Sequence, residues 1–257
     1  MRAAPPEREA SGMSVTTDYN YTSFSFAIEQ PELERWLARG PRPGQPAPEF
    51  ELEDLDGNPV RLSDLRGAPV VLEFGSYSCP IFSDRVPVME RLAREHREAA
   101  FIVIAIREAH PGEITGVHTS QEQKRQAAMR LAIEEGIQRR VLVDDLEGTV
   151  HRAYGGAWNP VYVIDAHGLV AYRRAWNHPV EVARALRALA KAQRPSREES
   201  LEMAQLPSRA AIGLRLLERG GRDALLDFYR TAPPPIRTLL RQSPSDAVRS
   251  VIEQEEQ

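Results

Sequence analysis

Cysteine is nearly absent from this sequence: among 257 residues only Cys79 carries a thiol. A chain with one cysteine has no internal disulfide, no Cys-x-x-Cys redox pair and no cysteine cage for a metal. If Cys79 is oxidised during turnover, the second thiol has to come from a small molecule, a reductase or another copy of the chain. The partners to expect are therefore a small-molecule substrate, an external thiol reductant of thioredoxin or glutathione type, and a second copy as a homodimer. Long apolar runs are also missing, since none approaches the roughly 20 residues that span a bilayer. The opening residues Met1-Arg2-Ala3-Ala4-Pro5-Pro6-Glu7 lack the apolar core of a secretory signal. No membrane partner and a cytoplasmic location are the corresponding expectations. Charge of one sign is not in excess, with 33 basic against 37 acidic residues and a net charge of -4, so no nucleic-acid partner is expected. No two histidines stand four apart, and neither a metal site nor a bound cofactor is expected.

What is present is enough apolar material, 42% of the residues, to bury a sizeable core in one domain with appendages. Residues 1–17 are polar and rich in proline, glutamate and serine, with Met13 as an alternative start, and read as a disordered terminus. An arm follows over 18–43. In it Tyr19, Tyr21, Phe24 and Phe26 alternate as a half-buried strand would, and Pro31 to Gly40 reads as a short helix with proline near its start and glycine after its end. From 44 to 194 the pattern is that of an α/β domain. Phe50 to Asp54 and Val60 to Leu62 flank an Asp56-Gly57-Asn58 turn as a β-hairpin. Apolar strands are predicted at 69–74, 101–106, 141–143, 161–165 and 169–172, with helices after Cys79, at 120–136 and at 180–191. Strand, helix and strand in succession imply parallel pairing with a right-handed crossover. The extension 195–257 shows two or three short amphipathic helices around Ile212, Leu216 and Leu217, then Leu225, Leu226, Phe228 and Tyr229, then Ile236, Leu239 and Leu240. It is expected to pack on the main domain.

Cys79 stands at a telling place. The run Pro69-Val70-Val71-Leu72-Glu73-Phe74 breaks at Gly75-Ser76-Tyr77-Ser78, and Cys79-Pro80-Ile81-Phe82 opens a helix. Strand, tight turn, thiol and then proline at the first helical position puts sulfur over unpaired N–H groups, whose partial positive charge favours thiolate and predicts a depressed pKa.

These residues carry a resemblance. Gly44-Gln45-Pro46-Ala47-Pro48-Glu49-Phe50 with Leu62-Ser63-Asp64-Leu65-Arg66-Gly67 resembles the entry to the redoxin and alkyl hydroperoxide reductase branch of the thioredoxin superfamily. More narrowly, Phe74-Gly75-Ser76-Tyr77-Ser78-Cys79-Pro80 resembles the catalytic loop of the iodothyronine deiodinases, in which selenocysteine stands at the position of Cys79. Glu108-Ala109-His110-Pro111, His118-Thr119-Ser120-Gln121-Glu122 and Trp176-Asn177-His178-Pro179-Val180-Glu181 resemble further segments of that family, in the same order. The resemblance implies an α/β thioredoxin-like fold with an amino-terminal extension and a helical carboxy-terminal tail. It also implies Cys79 as nucleophile, Ser76 as a polar neighbour, Glu108 and His110 as a proton-handling pair and His118 as a substrate contact. The chain departs from that pattern at Tyr77, where a cysteine is common, at Arg107, where a glutamate is, and at Asn159-Pro160, where Glu-Arg precedes the next strand.

Two carboxylate or imidazole groups beside a thiol suit reductive dehalogenation, which needs a soft nucleophile to take the halogen and an acid to protonate the carbon. Glu108 is expected to orient the His110 imidazole and raise its pKa. Pro160 is a candidate cis proline shaping a substrate groove, and Trp158 beside it a candidate wall for a flat aromatic substrate. Two alternatives stand beside a deiodinase-like thiol oxidoreductase. One is a one-cysteine, peroxiredoxin-like thiol peroxidase, with Ser76 three residues before the thiol. The other is a non-enzymatic redox sensor or scaffold whose tail recruits a partner.

Overall fold

The computed structural model describes residues 19–193, 195 and 210–257. The terminal segment 1–17 and residues 196–209 of the extension lie outside the described residues. The expected α/β thioredoxin-like architecture, with an amino-terminal extension and a helical tail, is what the chain adopts.

The sheet is built from strands β1 (Glu51–Asp54), β2 (Pro59–Arg61), β3 (Val70–Gly75), β4 (Ala100–Ala105), β5 (Arg140–Val143), β6 (Val161–Ile164) and β7 (Val170–Arg174), in the order β2-β1-β5-β4-β3-β6-β7. Strands β3, β4 and β5 pair in parallel, and β6 and β7 close one side antiparallel. Helices connect them: α1 (Glu29–Arg39), α2 (Pro80–Glu95), α3 (Gln121–Glu135), α4 (Thr149–Ala153) and α5 (Pro179–Ala190). Every residue of β3 is buried, and the strand divides its side chains by the pleat. Val70, Leu72 and Phe74 join a core with Trp36, Ile102, Ile104, Tyr154 and Tyr162 on the α1 and α4 face. Val71 faces Met89, Leu92, Val182 and Leu186 beneath α2 and α5.

Local chemistry explains the ends of α3. Ser120 accepts the Gln123 N–H at its start, and Gly136 closes it in the left-handed region at φ 65°. A charged group also sits in the central strand: Glu73 meets Arg139 at 2.5 Å and Asn177, and Arg139 reaches Glu90 at 2.8 Å. Such a buried charge persists only when paired.

Three expectations are corrected. Tyr19 to Phe26 form no strand. Tyr19 is fixed by its hydroxyl on His151 Nδ1 at 2.8 Å, Tyr21 by its hydroxyl on the Ala109 carbonyl at 2.8 Å, and Phe24 enters the core of the tail. The alternation records three separate anchors rather than a pleat. The Asn159–Pro160 bond is trans, there being no cis peptide among the described residues. Asn159 Nδ2 donates to the Phe74 carbonyl and the Phe74 N–H to the Pro160 carbonyl, so extended backbone leads directly into β6. The tail holds more helices than three: α6 (Ala210–Arg215) continues into a π-helical turn at Leu216–Gly220, then come α7 (Arg222–Thr231), α8 (Pro234–Arg241) and α9 (Asp246–Glu255). The last was not anticipated, although Val248 and Ile252 bury one face of it.

Candidate active site

The parallel strands deliver the ends of β3 and β4 to one edge of the sheet, and the loops after them make the site. At the end of β3 a Cβ on Gly75 would lie 2.0 Å from the Phe82 ring, so only glycine lets the first turn of α2 approach this closely. The turn Ser76-Tyr77-Ser78 closes with the Cys79 N–H on the Ser76 carbonyl at 3.2 Å. Cys79 is the N-cap of α2, Pro80 the first helical residue, and Sγ accepts the Phe82 N–H at 3.4 Å. The predicted helix-start geometry is therefore present.

Its electrostatic consequence is not. Cys79 is 2% exposed, and burial pushes its thiol up to about 11, against the Phe82 and Ile81 N–H groups that pull it down. The expected depressed pKa is corrected: loss of water outweighs two helix-start donors, and the nearby Glu108 and Glu73 carboxylates add to the rise.

The loop after β4 is clamped to the thiol loop by two serines. Ser76 Oγ accepts the Ala109 N–H at 3.0 Å, and Ser78 Oγ accepts the His110 N–H at 2.9 Å. Glu108 Oε2 accepts both the Ser78 N–H, at 2.7 Å, and the Ser78 hydroxyl, at 2.6 Å. Its other oxygen lies 3.3 Å from His118 Nε2, an ion-pair distance. Burial alone would raise the Glu108 carboxyl, but His118 and the Ser78 donors prevail and hold it below the ordinary carboxylate range.

His110 is therefore not the partner of Glu108. Its ring turns away into an aromatic nest, 4.2 Å from the Phe24 ring and 5.5 Å from that of Phe228, and Nδ1 has no hydrogen-bond partner. Burial drives its pKa down to about 3, the opposite of the expected rise, because no carboxylate compensates the lost water. His118, expected as a substrate contact, takes the buried place beside Glu108. Trp158 does not wall an open groove; it packs against Trp176 at 5.4 Å and Phe24 at 5.6 Å, between the main core and that of the tail. Ser78 was overlooked, although its place next to the thiol was a usable signal. Among the described residues no group of His, Cys, Asp and Glu could hold a metal ion, and no helix is long and apolar enough to cross a membrane.

The His110 arrangement has a measurable consequence. The unfolded chain takes up this proton near pH 6.5 and the folded one only near 3. Between those values the unfolded state binds more protons, so stability falls as pH falls, by about 1.4 kcal/mol per pH unit from this residue. His110→Phe, which suits the aromatic nest, is expected to flatten that acid limb in urea titrations between pH 7 and 4. A variant with the parent slope refutes the neutral, buried assignment.

The departures at Tyr77 and Arg107 have structural roles. The Tyr77 hydroxyl donates to Glu134 at 2.9 Å and its ring lies under Arg130 and Arg219. Arg107 pairs with the buried Glu32 of α1 and donates to the Tyr19 carbonyl at 2.8 Å, tying the arm to the loop that carries Glu108.

Known proteins share parts of this sequence and fold. The chain is similar over 99 residues, at 35% identity, to the thiol-disulfide oxidoreductase ResA of Halalkalibacterium halodurans, a match covering 38% of this chain and 51% of that one. Over 144 residues it is 33% identical to the thyroxine 5-deiodinase of Ovis aries, covering 51% of this chain and 48% of the relative. The chain thus spans about half the length of the curated relatives it matches. Among solved structures, a conserved protein from Geobacillus kaustophilus superposes with a TM-score of 0.51 at 22% identity, over 65% of this chain and 93% of that one. A hypothetical protein from Sinorhizobium meliloti 1021 reaches the same TM-score at 16% identity, over 61% and 88% of the two chains; at these identities both speak for the fold alone. The family model described as AhpC/TSA matches residues 43–173, which takes in β1 through β6 and all but the last residue of β7 and with them Cys79, Glu108 and His118, and the chain belongs to the AhpC/TSA family.

Proposed function

We propose that this protein is a thiol-dependent oxidoreductase that removes halogen from an aromatic substrate in the manner of the deiodinases it resembles. The observation that carries the reading is the thiol at the α2 N-cap beside the buried Glu108–His118 pair. The Cys79 thiolate takes the halogen, forming a sulfur–halogen bond as the carbon–halogen bond breaks. The electron pair left on carbon receives a proton, which His118 supplies and Glu108 steadies. One external thiol then displaces halide from Cys79 and leaves a mixed disulfide, and a second thiol releases Cys79 and departs as the oxidised disulfide. Since the chain has a single cysteine, both reducing equivalents come from outside it. No bound cofactor enters this cycle. Asn159-Pro160 gives no cation for a substrate carboxylate, so the substrate is an aryl halide without that requirement.

A peroxidase reading draws on the family match and on Ser76, buried three residues before Cys79. There the thiolate takes one peroxide oxygen to give a sulfenic acid, which external thiol reduces with release of water. Incubation of the reduced protein with iodinated phenols and thyroxine, and separately with hydrogen peroxide, decides between them. Iodide release supported by added dithiol is the expected result. Rapid peroxide consumption without iodide transfers the protein to the peroxidases, and inertness toward both overturns the enzymatic assignment.

A further inference from the structure

We propose that the carboxy-terminal helical tail is an autoinhibitory cover on the Cys79 loop, held shut by Arg219 and Glu113 and opened to admit substrate and reductant. The inference rests on Cys79 being the reactive thiol.

Four independent ties join the tail to the two loops of the site. The Arg219 guanidinium donates through Nη1 to the Tyr77 carbonyl and to Ser83 Oγ, each at 2.9 Å, and through Nη2 to Glu135 at 2.5 Å. It also stacks 4.6 Å over the Tyr77 ring. Both loop acceptors flank the thiol, Tyr77 two residues before it and Ser83 in the first turns of α2. That turn is weakened from within: Pro87 has no N–H to give the Ser83 carbonyl, so the start of α2 depends more on outside contacts. Arg219 is presented by a π-helical turn, an irregularity that costs regular hydrogen bonding and is often kept for placing a side chain.

The second tie is Glu113, whose carboxylate in the loop after His110 accepts the Arg222 and Asp223 N–H groups, the latter at 2.8 Å. It thereby caps α7 with a charge of the favoured sign. Third, backbone meets backbone where a Cβ on Gly112 would lie 2.2 Å from the Gly220 carbonyl. Fourth, Phe228 of α7 and Phe24 of the arm, 5.6 Å apart, close over the His110 ring. The tail's helices share a core of Leu216, Leu225, Tyr229, Leu240, Val248 and Ile252, which Phe24 of the arm completes and Trp158 borders, so its helices are packed on one another as well as on the main domain. Closed, the tail braces the Tyr77 turn and the start of α2, between which Cys79 packs among Phe82, Val86, Val103 and Ala109 at 2% exposure. Open, water returns to the thiol and the α2 N–H groups act on it without the opposing cost of burial.

Because Cys79 is the only thiol, its alkylation reports the opening without any assumption about the substrate. The full-length protein, Arg219→Ala and Glu113→Gln are compared at pH 8 with iodoacetamide and with the bulkier 5,5′-dithiobis(2-nitrobenzoic acid), at increasing sub-denaturing urea. Loss of charge-assisted bonds should raise the open population, and with it the alkylation rate, about tenfold in either variant. The urea dependence should be much shallower than that of global unfolding. Glu113 is exposed, so its variant folds whatever becomes of Arg219→Ala. Unchanged rates in Glu113→Gln, or rates that track global unfolding in all three proteins, overturn the proposal. Absence of dehalogenation with accelerated alkylation would instead remove the catalytic reading and leave the cover in place.

Discussion

Cys79→Ser is expected to reduce thiol-dependent turnover to background, a loss of about four orders of magnitude or more, while the melting temperature stays within a few degrees of the parent. The stability half of that expectation follows from the position. A serine hydroxyl can accept the Phe82 N–H as Sγ does, and serine is among the preferred N-caps. The catalytic half follows from chemistry: serine Oγ is a hard, high-pKa nucleophile that forms no lasting bond to halogen or peroxide oxygen, and no second thiol exists to take over. Iodide release and peroxide consumption, measured side by side on the parent and the variant, provide the check. Residual turnover above a tenth of the parent's rate would sink both enzymatic readings together. In the parent protein the same thiol dictates a pH profile. With Cys79 pushed up to about 11, the thiolate fraction, and the rate with it, climbs about tenfold per pH unit through neutrality. A plateau near pH 7 would mean that the reacting state is already open to water.

The thiol site was legible in the sequence because its signals are local. Glycine before the turn, cysteine at the N-cap and proline at the first helical position each act within four residues, and α3 was bracketed in the same way by Ser120 and Gly136. The partner of Glu108 was not legible. Spacing placed His110 two residues on along a strand, but β4 ends at Ala105, and beyond it the pleat no longer governs which way a side chain turns. The path of the 109–118 loop, set by two serine hydroxyls and by Glu113 capping α7, brings His118 to the carboxylate instead. Burial of Cys79 was hidden for a related reason. It is set by residues of β4, β5 and α3 that pack on the thiol, with Arg219, 140 positions away in sequence, bracing the Tyr77 turn, and none of these contacts leaves a periodic trace around Cys79. Phe24 misled in the opposite sense: four alternating aromatics suit a strand, yet the arm is pinned at separate points on His151, Ala109 and the tail.

Substitutions at Glu108 separate its structural work from its chemical work. Glu108→Leu strips acceptors from the Ser78 N–H and hydroxyl and removes the carboxylate that faces His118, all in a buried setting. Breaking a buried pair from one side typically costs about 3–5 kcal/mol, so this variant should lose much of its stability, read as a lower urea midpoint, and its turnover as well. Glu108→Gln keeps the shape. Its carbonyl oxygen can accept from Ser78, and its amide can donate to His118 Nε2 once the imidazole is the Nδ1–H tautomer, so the stability loss should stay near 1 kcal/mol. The carboxylate that supports His118 as acid in the proposed cycle is gone, however, and turnover should fall by about 10²–10⁴, the span that general acid catalysis supplies. The loss should appear in kcat and leave KM nearly unchanged, since Glu108 is buried with one oxygen held by Ser78 and the other facing His118. If Gln restores turnover as well as stability, Glu108 serves only to hold Ser78 and the thiol loop, and the proton reaches the product carbon from solvent through the opened tail.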